Sequence, residues 1–206
     1  MPAAERAPRT QQQRRDETRR ALLDAAVESL IARGVAGTTT LEVQKRAGVS
    51  RGALLHHFPS KAELVAATVK HLAHMRGREL KERAASLPEG EARFDAVFDL
   101  LWQSFTGPMV HVAMELRAAA RTDRELRRAL VPVERELHFS ILAQYRALFG
   151  PELAARPGFD RAFEMTLALM TGAAMSSLLH GEHAARFEQL VTTWKPVFHT
   201  LLERTL

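Results

Sequence analysis

The chain contains no cysteine. That absence excludes disulfides, thiolate nucleophiles and cysteine-based zinc sites. An apolar leader core is also missing. The opening stretch, MPAAERAPRTQQQRRDE, does not read as a secretory signal. The longest uncharged run, Met165 to Leu179, is 15 residues long and includes Thr, Gly and Ser. It is too short and too polar to cross a bilayer. No stretch alternates apolar and polar residues as a half-buried strand would. No segment repeats with a solenoid period. There is no glycine-rich phosphate loop and no HExxH pair. These absences predict a soluble, cytoplasmic, helical protein that is not an enzyme. Its 206 residues, 46% of them hydrophobic, suffice for one or two compact domains.

What is present is concentrated between Thr38 and Lys61, TTTLEVQKRAGVSRGALLHHFPSK. This stretch predicts two short helices joined by a tight turn. The first runs over about Thr40 to Ala47, with Thr39 as N-cap and Glu42 three residues later to complete a capping box. Gly48 supplies the turn, because only glycine takes a positive φ cheaply. Ser50 caps a second helix over about Arg51 to His57, and Pro59 stops it. Val43, Ala47, Val49, Leu54 and Phe58 have the spacing to pack the corner together. Arg51, Gly52, Ala53, Leu55, His56 and His57 are left to face outward. A short helix with a small, basic outer face suits a DNA major groove. A helix–turn–helix corner also occurs in proteins that never touch DNA, so the corner alone leaves both readings open.

The charge distribution favours DNA. Residues 1–61 hold 11 Lys and Arg against 6 Asp and Glu, while residues 62–206 hold 18 of each. The whole formal excess of +5 lies on the segment with the helix–turn–helix. Attraction to a polyphosphate favours that placement, and solubility does not require it.

The segment from about Thr18 to Leu64 resembles the DNA-binding domain of the TetR family of transcriptional regulators. The resemblance rests on Thr18, Leu22, Leu23, Ala25, Ala26, Leu30, Gly34, the Thr38–Thr39 pair, Val43, AGVS at 47–50, Gly52, Leu54, His57–Phe58, PSK at 59–61 and Leu64. It covers roughly a quarter of the chain. It implies an all-α homodimer with an N-terminal three-helix helix-turn-helix domain. A helical ligand-binding and dimerisation domain follows, for about nine helices in all. It also implies a repressor that leaves a palindromic operator when a small molecule binds. The chain departs from the family pattern at Ala53, where Thr or Ser is common, at Leu55, where Tyr is common, and at Gln44, where Ala is frequent.

On this reading Arg51 is the main base reader, bidentate to a guanine. Gly52 admits close backbone approach, and Ala53 and Leu55 give apolar contacts. His56 and His57 meet bases or phosphates. Thr39, Thr40, Ser50 and Lys61 hold phosphates and fix the register. A non-specific or architectural DNA-binding protein is the alternative, since it would share the basic head.

The domain boundaries expected are a disordered basic arm over 1–14, the DNA-binding domain over 15–60 and the helical body over 61–206. The arm either solvates or carries Arg6, Arg9, Arg14 and Arg15 to DNA. Helix one is expected from about Asp16 to Arg33, ending at Gly34, with Arg19 and Arg20 outward. A long helix from Lys61 joins the basic head to the neutral body and is the expected lever between them. Further helices are expected over about 91–105, 109–121, 123–149, 160–180 and 184–204.

Phe163, Leu167, Met170, Ala174 and Leu178, then Phe187, Leu190, Val191, Trp194, Phe198, Leu201 and Leu202, follow helical 3/4 spacing. Either they form a four-helix dimer interface or they close the monomer's own core. The resemblance tilts them toward the interface. Trp102, Phe105, Met109, His111, Met114, Glu115, Arg117, Phe139 and Tyr145 are the candidates to meet an apolar or aromatic effector, against the plainer reading that they are core. His71 with His74, and His180 with His183, offer two metal ligands each. Only Glu182 stands near as a third, where zinc needs three or four. No metal and no cofactor are therefore expected.

Overall fold

The computed structural model describes residues 10–105, 107–177 and 184–203, with the backbone alone at 177 and 184–188. Among the described residues there are ten helices and no strand. They are α1 (Gln11–Gly37), α2 (Thr40–Ala47), α3 (Arg51–His57), α4 (Lys61–Ala84), α5 (Glu91–Phe105), α6 (Pro108–Ala120), α7 (Arg124–Phe149), α8 (Pro151–Ala154), α9 (Phe159–Ser177) and α10 (Ala184–Leu202). The all-α expectation holds. The short α8 lies between the breakers at Gly150 and Gly158 and was not anticipated. No helix among the described residues is long and apolar enough to cross a membrane.

Helix α1 begins five residues earlier than the apolar stripe predicts. Thr10 accepts from the Gln13 amide, and the Gln13 side chain returns to the Thr10 amide. This capping box starts the helix at Gln11, so residues 11–14 are helical and do not belong to the expected arm. Arg6 and Arg9 lie outside the described residues. Gly34 breaks α1 with φ 66° and ψ −177°, a conformation open essentially to glycine alone.

Three apolar clusters organise the molecule. The first packs Leu22, Leu23, Ala25 and Ala26 of α1 against Val43, Leu54, Phe58 and Leu64, with Ala47 and Val49 beside them. The second joins Leu30 and Val35 of α1 to Ala62, Val65 and Ala66 of α4, Val112 and Leu116 of α6, and Leu126 and Leu130 of α7. The first turns of α4 therefore serve both clusters, and the corner meets the body through shared core. The third cluster fills the body with aromatic rings. Phe94, Phe98, Phe149, Phe159, Phe163 and Phe198 converge from α5, α7, α9 and α10. Phe98 meets Phe198 edge-on at 5.2 Å, and Phe149 stacks on Phe198 at 5.6 Å. Such ring pairs add to the area each buries.

This third cluster corrects the expected interface. Phe163, Met170, Ala174, Val191, Phe198 and Leu202 are buried within the single chain. Leu167, Trp194 and Leu201 are half-buried and belong to the same packing: Leu167 and Trp194 rest against this core, as does Leu201. Trp194 is held inside the chain by its indole N–H, which donates to Thr166 Oγ1 at 2.7 Å. Of the predicted interface residues, Leu190 is exposed. Leu178 and the Phe187 side chain lie outside the described residues. Helical spacing marks a stripe but does not say what covers it. The apolar and small residues that stay exposed on these helices are Met165, Ala168, Gly172 and Met175 of α9, at helical spacing, and Leu190 and Val197 of α10, two turns apart. A Cβ built at Gly172 would meet open space.

Candidate nucleic-acid interface

The corner forms as its sequence predicts. Thr39 Oγ1 accepts from the Glu42 amide at 3.1 Å, and Ser50 Oγ accepts from the Ala53 amide at 3.1 Å. Gly48 takes φ 67°, and its N–H closes α2 onto Lys45 and Gln44 carbonyls. One half of the predicted capping box differs. The Glu42 carboxylate does not turn back to Thr39 but meets Arg46 at 2.9 Å and Arg33 at 3.4 Å. The Arg46 hydrogen bond, opposed by partial burial, holds the Glu42 carboxyl below its ordinary pKa. Arg46 also reaches Glu28 of α1 at 3.1 Å. This network ties α2 to α1 and neutralises Arg46. Inside the corner, Ser29 Oγ lies 3.2 Å from Thr38 Oγ1, and the Thr38 hydroxyl donates to the Gly34 carbonyl at 2.8 Å.

Helix α3 turns Leu54 inward, 1% exposed, and leaves Arg51, Gly52, Leu55 and His56 exposed. Ala53 and His57 are half-buried. Among the described residues no ion pair holds Arg51, so its guanidinium is available. Thr39 and Ser50 use an oxygen lone pair for their caps, which leaves each hydroxyl proton to donate to an anion. Thr40 is half-buried beside them. His57 leans toward α1. Burial lowers its pKa, and His56, Arg15 and Arg19 add to that by repulsion. Arg19 itself lies over the Phe58 ring at 5.2 Å.

Lys61 departs from its expected place. Its ammonium donates to the Val35 carbonyl at 3.2 Å, so a phosphate would have to compete with that bond. The start of α4 is capped instead by Ser60, which accepts from the Glu63 amide. Lys61 also lines a half-open cleft of about 480 Å³ with Val65, Glu115, Asp123, Glu125 and Leu126.

None of the predicted effector residues of the body, apart from Glu115, lines this cleft. Instead Trp102, Phe105 and Tyr145 gather at the aromatic cluster, and the others are spread over α6 and α7. Tyr145 is buried in the aromatic cluster, where desolvation raises its pKa and its hydroxyl faces Ser104 at 3.5 Å. Trp102 and Phe105 rest against that cluster, whereas Met109 rests against the junction cluster. His111 and Met114 are half-buried on α6. Arg117 is exposed and paired with Glu134 at 2.8 Å. Phe139 of α7 is 63% exposed and stands apart from the clusters. His71 Nε2–H donates to Asp24 Oδ1 at 2.7 Å, joining α4 to α1. His180, Glu182 and His183 lie outside the described residues.

Residues 48–52, Gly-Val-Ser-Arg-Gly, have the spacing of a hydrolase nucleophile elbow. That elbow joins a strand to a helix. Here α2 precedes the turn, and Ser50 is a helix cap.

The comparisons with known proteins agree with this geometry. The family model of bacterial regulatory proteins of the tetR family matches residues 22–68, which span the first cluster and the start of α4. An uncharacterised HTH-type transcriptional regulator of Mycobacterium bovis is 34% identical over 167 residues, covering 79% of this chain and 82% of that protein. A transcriptional regulator from Rhodococcus sp. RHA1 superposes with a TM-score of 0.62 at 24% identity, over 90% of this chain and 96% of that one. The multidrug binding protein EbrR, complexed with ethidium, superposes with a TM-score of 0.60 at 23% identity, over 86% and 98%. The chain belongs to the TetR family of transcriptional regulators.

Proposed function

We propose that this regulator is a repressor that binds a palindromic operator as a homodimer and is released by a small apolar or aromatic effector, in the cytoplasm. The observation that carries this reading is the exposed face of α3. Arg51, Gly52, Leu55 and His56 stand outward on a corner held by its own caps. That corner lies within the segment bearing the chain's whole net charge. Arg51 reads a guanine, Gly52 admits the backbone, and Ala53 and Leu55 meet thymine methyls. His56, His57, Thr39, Thr40 and Ser50 set the register on phosphates and base edges.

The dimer forms through the exposed apolar residues of α9 and α10, with Met165, Gly172, Met175, Leu190 and Val197 at its centre. Uncovered apolar surface of this kind is where a second copy packs. Two-fold symmetry then places two α3 helices on successive turns of one duplex face. EbrR, of the same fold, binds ethidium, which supports a body that accepts a planar organic molecule. Trp102, Phe105, Met109, His111 and Met114 are the half-buried side chains proposed to meet it.

The apolar Ala53 and Leu55 also favour a second reading, a DNA-binding protein with little sequence preference. One assay separates the two. Fluorescence anisotropy on DNA from upstream of the protein's own gene, against scrambled DNA at two salt concentrations, gives the specificity ratio and the phosphate count. Binding about 10³-fold tighter to the native sequence supports the repressor. Equal, salt-sensitive binding to native and scrambled DNA, with no sequence enriched by selection from a random pool, supports the second reading.

A further inference from the structure

Both backbone polar groups of Val35 are held by side chains of other helices, one at the start of α4 and one in the body. Its N–H donates to Glu115 Oε2 of α6 at 2.7 Å. Its carbonyl accepts from Lys61 Nζ of α4 at 3.2 Å. Gly34, next to it, adopts the glycine-only conformation that breaks α1 and frees the Val35 amide from the helix. A Cβ on Gly34 would stand 2.6 Å from Glu115 Oε2. The missing side chain, the broken helix and the carboxylate therefore form one fit. An ionised acceptor on a backbone N–H makes a bond stronger than a neutral pair.

The position of this bond gives it consequence. Helix α1 carries Leu22, Leu23, Ala25 and Ala26 into the core of the reading corner. The same helix carries Leu30 and Val35 into the junction with the body. Helix α4 already joins corner to body through the chain itself. The packing of Leu30 and Val35 joins them again, but apolar contact is non-directional and does not by itself fix an angle. Glu115 supplies a directional tie from α6. The carboxylate is exposed, and the junction cleft beside it leaves room for it to swing away when the bond breaks.

We propose that Glu115 is the positioning residue that fixes the angle of the reading corner on the body, and so the separation of the two α3 helices in the dimer. The inference rests on the DNA-binding dimer proposed above. An effector that moves α6 then acts on the corner by pulling Glu115 from Val35.

The test uses the full chain, its Glu115→Ala and Glu115→Gln variants, and two kinds of DNA. One carries a single half-site. The other carries two half-sites at the best spacing, or at spacings changed by one and two base pairs. Glu115→Ala is expected to bind the single half-site within about twofold of the wild type. Its discrimination among spacings is expected to fall about fivefold or more, as loss of a coupling between sites does. Hydrogen exchange at the Val35 amide should quicken in the same variant. Glu115→Gln keeps an oxygen acceptor and is expected to restore most of the spacing preference. Unchanged spacing preference in Glu115→Ala, with half-site binding intact, overturns the proposal. So does a parallel loss of half-site affinity and thermal stability, which would make Glu115 merely structural. Failure of the wild type to bind any half-site instead removes the regulatory reading on which this rests.

Discussion

The reading corner and the aromatic core of the body hold their shape by different means. Helices α2 and α3 have eight and seven residues, too few to persist alone in water. They stand because Thr39, Gly48 and Ser50 satisfy their ends and because Val43, Leu54 and Phe58 bury one face against α1. The body relies on long helices whose phenylalanines meet from distant parts of the chain. The corner is thus specified by neighbours in sequence, and the body by neighbours in space. Two faces of one helix in the body can look alike until their partners are known.

Adjacent residues on α10 sharpen this comparison most. Phe198 is fully buried, whereas Val197 is 42% exposed on the proposed dimer face. Phe198→Ala should cost about 3–5 kcal/mol of folding stability, read by chemical denaturation. Val197→Lys should leave the monomer's stability nearly unchanged and weaken dimerisation by about tenfold or more, read by analytical ultracentrifugation. A dimer untouched by Val197→Lys would break the proposed assignment of that face.

In the corner the largest effect belongs to recognition. Arg51→Ala should cost about 1–3 kcal/mol on the operator and relax specificity at one base pair. Equal losses on operator and random DNA would reduce Arg51 to a phosphate contact. Ser50→Ala removes a cap and should cost about 1 kcal/mol of stability, with Ser50→Gly costing less. A thermal melt that shows no difference between wild type and Ser50→Ala would mean that packing alone holds α3.

The smallest effect is that of pH. The pKa of His57 is lowered in the folded corner, chiefly by burial and then by His56, Arg15 and Arg19. The unfolded chain therefore takes up the proton more readily. Stability should be highest above the ordinary histidine range and decline as the pH falls through about 6.5. His57→Gln should flatten that decline in melting temperature. An identical slope in the variant would place the acid sensitivity elsewhere.

Much of the candidate site was legible in the residues. Caps and turn glycine depend on contacts within a few positions and stand where the pattern puts them, and four of the six residues expected outward on α3 are exposed, with Ala53 and His57 half-buried. The capping box at Glu42 was half right, because Arg46, four residues on, outbids the Thr39 amide for its carboxylate. The early start of α1 was missed because its first turn, capped by Thr10 and Gln13, carries no apolar stripe. The bond from Lys61 to the Val35 carbonyl was not legible, because that partner lies 26 residues away across a helix break.

The sequence by itself determined that the chain is helical, where most helices begin and end, and that its net charge sits on the corner. These properties follow from backbone propensities, end caps and side-chain charge, all of which act over a few residues. Only the tertiary structure decided that the stripes of α9 and α10 face the chain's own phenylalanines, that Trp194 donates to Thr166, and that Glu115 reaches Val35 across 80 positions. Periodicity shows that a face is apolar. What covers that face, and which polar group is left to meet a distant partner, depends on how all the helices pack at once.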